Sequence, residues 1–113
     1  MNTVTITSKC DISLSDVEQR LRDRVTLLKG ALDRIVIQES NSRVYIYHPE
    51  LDSDDMRKNQ LYLDYSSEDL VKKAVEIIAD DPELTVENEF GIALPGDQFV
   101  ARLKAEGGWK WSV

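Results

Sequence analysis

Apolar residues alternate with polar ones in five short stretches of this chain and recur at helical spacing in three others. Residues 3–9, TVTITSK, set Val4 and Ile6 between threonines, the period of a half-buried strand. From Cys10 the period changes. Val17, Leu21, Val25, Leu28 and Leu32 recur at steps of three or four and predict one apolar stripe of a helix. Ser15-Asp16-Val17-Glu18 fits a capping box at its start, and Gly30 weakens or ends it. Arg20, Arg22 and Arg24 fall largely off the stripe and read as a solvated face, partly paired with Asp16, Glu18 and Asp23. Residues 34–50 read as a hairpin: Ile35 and Ile37 face inward, Asn41-Ser42 marks the turn, and Val44 and Ile46 face opposite to Arg43, Tyr45 and Tyr47. Pro49 stops the return strand.

A polar loop over 50–60 leads to LYLDYSS, in which Leu61, Leu63 and Tyr65 point inward and Tyr62 and Asp64 outward. Ser66 or Ser67 then caps a second helix. Glu68 and Asp69 fall in its first turn, where the helix dipole favours anions, and Leu70, Val71, Ala74, Val75, Ile77 and Ile78 make a broad apolar face. Asp80 and Asp81 stand at its C-terminus, against the dipole, and Pro82 ends it. The stretch DDPELTVENEF is the least expected part of the chain. Five of its eleven residues are acids, yet Leu84, Val86 and Phe90 alternate with Thr85, Glu87 and Glu89 as in a strand over 83–89. FGIALPGD continues that strand after a bend at Gly91. A short third helix follows, capped by Asp97, with Phe99, Val100 and Leu103 buried and Gly107-Gly108 at its end. Trp109 and Trp111 fall on one side of an extended tail.

This order predicts one α+β domain over residues 1–113. It holds an antiparallel sheet of four to six strands with two or three helices mainly on one face, leaving the other face wet. The size and the 42% hydrophobic content suit a core that needs no disulfide or metal. One cysteine, Cys10, excludes an intrachain disulfide. The opening residues carry no apolar run of signal-peptide length, and no stretch approaches the roughly 20 apolar residues of a membrane span. The expectation is a soluble, cytoplasmic protein.

Net charge is −7, and its distribution says more than its sum. Residues 49–97 carry fourteen Asp or Glu against four Lys or Arg, whereas the segments on either side are slightly basic. Such a chain repels nucleic acid and anionic lipid, whose phosphates supply most non-specific affinity. It attracts a cationic protein and speeds the encounter.

Candidate chemistry is sparse. His48, the only histidine, stands before Pro49 with no partner evident in the sequence. Cys10 stands beside Asp11, whose charge disfavours a thiolate nucleophile. Asp52, Asp54 and Asp55 lack the glycine and terminal glutamate of a calcium loop. The glycines of FGIALPGD match no phosphate-binding pattern. The expectation is no catalytic residue, no metal and no cofactor.

The predicted outward strand positions carry Tyr45, Tyr47, Tyr62, Asp64, Glu87 and Glu89. Tyrosine supplies large contact area at low entropy cost, and carboxylates suit arginine and lysine on a partner. An ordinary wet sheet face has a similar composition. In size, acidity and α+β layout the chain resembles the small acidic immunity proteins of bacterial toxin systems, including contact-dependent inhibition. The resemblance implies a one-to-one complex with a basic toxin domain, such as a nuclease, whose active site is covered or distorted. In that arrangement Asp64, Glu87 and Glu89 meet the partner's cations and the tyrosines anchor it. Asp52, Asp54 and Asp55 with Asp80, Asp81 and Glu83 form a rim or second patch. The alternatives are a regulatory or adaptor module, as monomer or homodimer, and a small-molecule-binding domain or enzyme with a pocket near His48 and the tryptophans.

Overall fold

The computed structural model describes residues 2–28, 34–49, 58–88 and 91–105. Six strands of three residues or more and one two-residue edge strand form a single antiparallel sheet, with three helices. The strands are β1 (Asn2–Thr7), β2 (Leu27–Leu28), β3 (Arg34–Glu39), β4 (Ser42–Tyr47), β5 (Gln60–Tyr65), β6 (Thr85–Glu87) and β7 (Ala93–Pro95). The helices are α1 (Leu14–Arg22), α2 (Glu68–Ile78) and α3 (Gly96–Leu103). The strand order is β2-β3-β4-β5-β1-β6-β7. β3, β4 and β5 form the expected meander, and the first strand of the chain inserts between β5 and β6.

Alternation decides which side of the sheet is dry. Val4 and Ile6, Ile35 and Ile37, Val44 and Ile46, Leu61 and Leu63, Tyr65 and Val86 all turn to one side and are buried. Against them pack Val17 and Leu21 of α1, Leu70, Val71, Ala74, Val75 and Ile78 of α2, and Phe99 and Val100 of α3, in one continuous core. All three helices therefore cover the same face. A core side chain of this size contributes about 1.5–3 kcal/mol when fully buried, so the paired stripes of sheet and helices dominate the fold.

The structure corrects several local expectations. Helix α1 is capped by Ser13, whose hydroxyl accepts from the Asp16 amide at 3.3 Å, and not by Ser15. It ends at Asp23, two turns before the periodic stripe does. Val25 stays buried, but Thr26, Leu27 and Leu28 leave the helix and Leu27–Leu28 pairs with Ile37 and Val36. The open edge of β3 offers backbone partners there, and β-branched Val25 and Thr26 favour extension. The hairpin loop is Ser40-Asn41, since Ser42 already pairs with Glu39. Ser40 takes φ 53°, a strained value for a residue with a side chain. Ser67 occupies the α2 N-cap without a side-chain cap bond, while Ser66 Oγ accepts from the Arg43 amide at 3.0 Å.

The acidic strand is shorter than its pattern, Thr85–Glu87. After it the chain does not continue but turns back as β7 through Gly91, whose φ of 84° suits glycine. Asn88 is the buried hinge: its amide donates to the Ile92 carbonyl and its side-chain oxygen accepts from the Ile92 amide, both at 3.0 Å. At α3 the N-cap is Pro95, and Asp97 sits in the first turn. Gly96 is buried there, its amide donating to the Leu84 carbonyl at 2.8 Å. A Cβ at this position would overlap the Ala79 carbonyl oxygen and stand 2.6 Å from that of Asp81, so α3 starts against the end of α2 only because residue 96 has no side chain. No helix among the described residues is long and apolar enough to cross a membrane.

Candidate interaction surface

The face of the sheet opposite the helices is built by the residues that alternation leaves over. Strand register sets them in rows. Arg34, Tyr47, Tyr62, Thr5 and Glu87 are consecutive cross-strand neighbours on β3, β4, β5, β1 and β6. Beside that row runs a second, Val36, Tyr45, Asp64 and Thr3. Arg34 and Glu87 are exposed, and the three tyrosines and Asp64 are half-buried.

The centre of this face is tied together. Tyr47 donates its hydroxyl to Asp64 Oδ2 at 2.7 Å, and Thr3 donates to Oδ1 at 2.6 Å. Both oxygens of one carboxylate thus hold hydroxyls from the strands on either side of β5. The Tyr47 and Tyr62 rings meet edge to face with centroids 5.9 Å apart and planes at 74°, an arrangement worth about 0.5–1.5 kcal/mol beyond area burial. Burial pushes the Tyr47 hydroxyl up to about 12, and the hydrogen bond to Asp64 and the nearby charges add to the shift. It stays neutral and donating at physiological pH. Arg43 Nη1 reaches the Tyr45 hydroxyl at 3.5 Å, the limit of a hydrogen bond. The tyrosines are therefore oriented by strands and bonds before any partner arrives, which lowers the ordering cost of binding.

The sequence-selected residues divide into two groups. Tyr45, Tyr47, Tyr62, Asp64 and Glu87 share the open face. Asp80, Asp81 and Glu83 do not join them: they lie at the corner between α2 and β6. Asp52, Asp54, Asp55 and Glu89 lie outside the described residues, as do Trp109 and Trp111. Among the described residues the open face is not an acidic one, since Asp64 and Glu87 are balanced by Arg34 and Arg43. Thr3, Thr5 and Arg34, which the register brings onto the face, are absent from the expected set. Alternation with Ile35 and Ile37 already sets Arg34 outward, and it finds Thr3 and Thr5 once β1 is placed beside β5.

At the corner, Asp81 has a structural task. Its Oδ1 accepts from the Glu83 amide at 2.8 Å, closing a turn at Pro82. That accounts for an acid against the α2 dipole. Glu83 pairs with Lys9 at 3.6 Å, both side chains well exposed, and such pairs contribute little. Arg20, Arg22 and Arg24 are exposed, as expected of a solvated face, but Arg20 turns its guanidinium to the Ile78 carbonyl at 3.2 Å, satisfying the C-terminal end of α2. Beside it a cleft of about 160 Å³ is bounded by Asp11, Asp16, Val17 and Asp81.

His48 is buried, and its Nδ1 lies 2.9 Å from the Gln60 carbonyl. A carbonyl only accepts, so Nδ1 carries the proton and the ring fastens the end of β4 to β5. Cys10 is exposed. Among the described residues no group of three or more His, Cys, Asp or Glu side chains is arranged to hold a metal ion. Comparison with models of protein families, with curated proteins and with solved structures found no match.

Proposed function

We propose that this chain is a protein-binding inhibitor of the immunity type, which neutralises a basic toxin domain by docking the open face of its sheet on it. One observation carries the reading. Three tyrosines stand close together on the sheet face away from the helices; Tyr47 and Tyr62 are in ring contact, and Tyr47 is also bonded to Asp64. Among the described residues the helix-side core is filled without them. Amphipathic aromatic residues of this kind are what interfaces use as anchors.

Charge divides the work. The net charge of −7 draws a cationic protein inward. Asp80, Asp81 and Glu83 at the corner act as steering charges or rim, with Asp52, Asp54 and Asp55 as a further acidic segment. On the face, Glu87 is the exposed carboxylate free to meet lysine or arginine. Asp64 already accepts two hydroxyls and mainly orients Tyr47. The chain acts by covering its partner and performs no reaction of its own.

The test is capture of partners from a lysate of the source organism by tagged protein at low and moderate salt, with mass spectrometry and a Tyr45→Ala/Tyr62→Ala control. The expected result is a stoichiometric basic protein, toxin-like in domain type, that is lost with the control. Absence of such a protein, or equal capture by the control, would contradict the reading.

A further inference from the structure

The central row of the open face reads Arg34, Tyr47, Tyr62, Thr5, Glu87 across five adjacent strands. Its middle member stands on β5. Two strands to one side is an exposed cation, and two strands to the other an exposed anion. Neither makes an ion pair or hydrogen bond with any described residue. A row with opposite charges equidistant from its centre is complementary to itself.

We infer that the open face also takes a second copy of this chain, in a face-to-face dimer whose two-fold axis runs along β5. This rests on the reading of that face as a contact surface and names its occupant when no toxin is bound. An axis along β5, midway between two facing sheets, leaves Tyr62 on the axis, puts Thr5 opposite the second copy's Tyr47 and puts Arg34 opposite the second copy's Glu87. The reciprocal pair forms by symmetry, as an isologous interface demands. An axis perpendicular to the strands would set Arg34 against Arg34 and is disfavoured.

Sheet shape permits the arrangement. Two sheets of the same right-handed twist, related by a two-fold axis along a strand, present matching saddles and stack about 10 Å apart. The contact is small. Four strand spacings and six residues of strand span a face about 20 Å on a side, below the size of stable specific interfaces and in the range of weak, transient ones. The two Asp64 carboxylates also face each other near the axis, at a separation of about one Debye length in physiological salt. The dimer is accordingly weak, with a Kd on the order of 10–100 μM for an interface of that size. It shields the tyrosines until a tighter partner displaces the second copy, so dimerisation and toxin binding exclude each other.

Charge reversal tests this without any toxin. In sedimentation velocity over a concentration series, the purified protein moves from monomer to dimer. Arg34→Glu and Glu87→Arg each weaken the dimer by about tenfold or more, because symmetry places every reversal at two contacts. Mixing the two variants restores association: one copy carries two acids and the other two cations, so both cross-contacts become attractive. The exposed positions leave folding intact, checked by circular dichroism, and recovery in the mixture confirms it. A wild type that stays monomeric through 1 mM would overturn the proposal. So would dimers that survive either reversal, or a mixture that associates no better than the separate variants. A monomeric result leaves the toxin-binding reading in place, and failure to find a toxin leaves the dimer result untouched.

Discussion

Removing the carboxylate of Asp64 should unfasten the open face, and the structure sets how much that costs. Asp64 accepts from Tyr47 at 2.7 Å and from Thr3 at 2.6 Å. A hydrogen bond to a charged group contributes about 1.5–3 kcal/mol in a buried setting. These groups are half-buried and regain water when released, so about 1 kcal/mol each is the expected share. Asp64→Ala should therefore destabilise by about 2 kcal/mol and Tyr47→Phe by about 1 kcal/mol. The double variant should lose about 2 kcal/mol rather than 3, a coupling of about 1 kcal/mol between the two positions. With about 0.24 kcal/mol/K of unfolding entropy for a chain of this length, the single losses lower Tm by about 8 °C and 4 °C. Urea unfolding of the four proteins measures the cycle. Additivity within about 0.3 kcal/mol would show that the bond contributes nothing and refute the account of a preorganised face.

Three further outcomes follow from named contacts. Gly96→Ala should destabilise by about 3 kcal/mol or more, since the new methyl overlaps the Ala79 carbonyl oxygen on backbone that cannot swing aside. A stable Gly96→Ala protein in chemical denaturation would show that the α2–α3 junction is looser than described. The Tyr47 hydroxyl is raised from 10.0 to about 12 in the fold. The stability this gives is complete below pH 10 and is lost as pH rises through 12, so the stability–pH curve should fall across that window and fall less in Tyr47→Phe. Glu87→Lys should leave the fold intact, slow association with a basic partner and flatten its salt dependence. Unchanged rates at both low and high salt would remove Glu87 from the contact.

Much of this architecture is legible in the sequence, and the misses have physical causes. Period-two alternation placed Tyr62 and Asp64 outside and Leu61, Leu63 and Tyr65 inside, as observed, because one dry face fixes register. The same rule failed to stop α1 at Asp23, since spacing of three and four continues through Leu28 while the free edge of β3 claims those residues as a strand. Local pattern cannot see such long-range pairing. It likewise could not place β1 between β5 and β6, which is what brings Thr3 to Asp64 and Glu87 into the Tyr62 row. Asp80, Asp81 and Glu83 belong to a corner, where Asp81 closes a turn and Glu83 meets Lys9.

The most direct test of the central claim is side-chain footprinting of the protein with and without its captured partner. Hydroxyl-radical labelling reads solvent access residue by residue. Tyr45, Tyr47 and Tyr62 should lose reactivity on binding, while Tyr65, 2% exposed on the opposite face, stays unreactive in both states. Undiminished labelling of those three tyrosines in the complex, with protection appearing instead on α1 or α2, would contradict the assignment of the open sheet face as the binding surface.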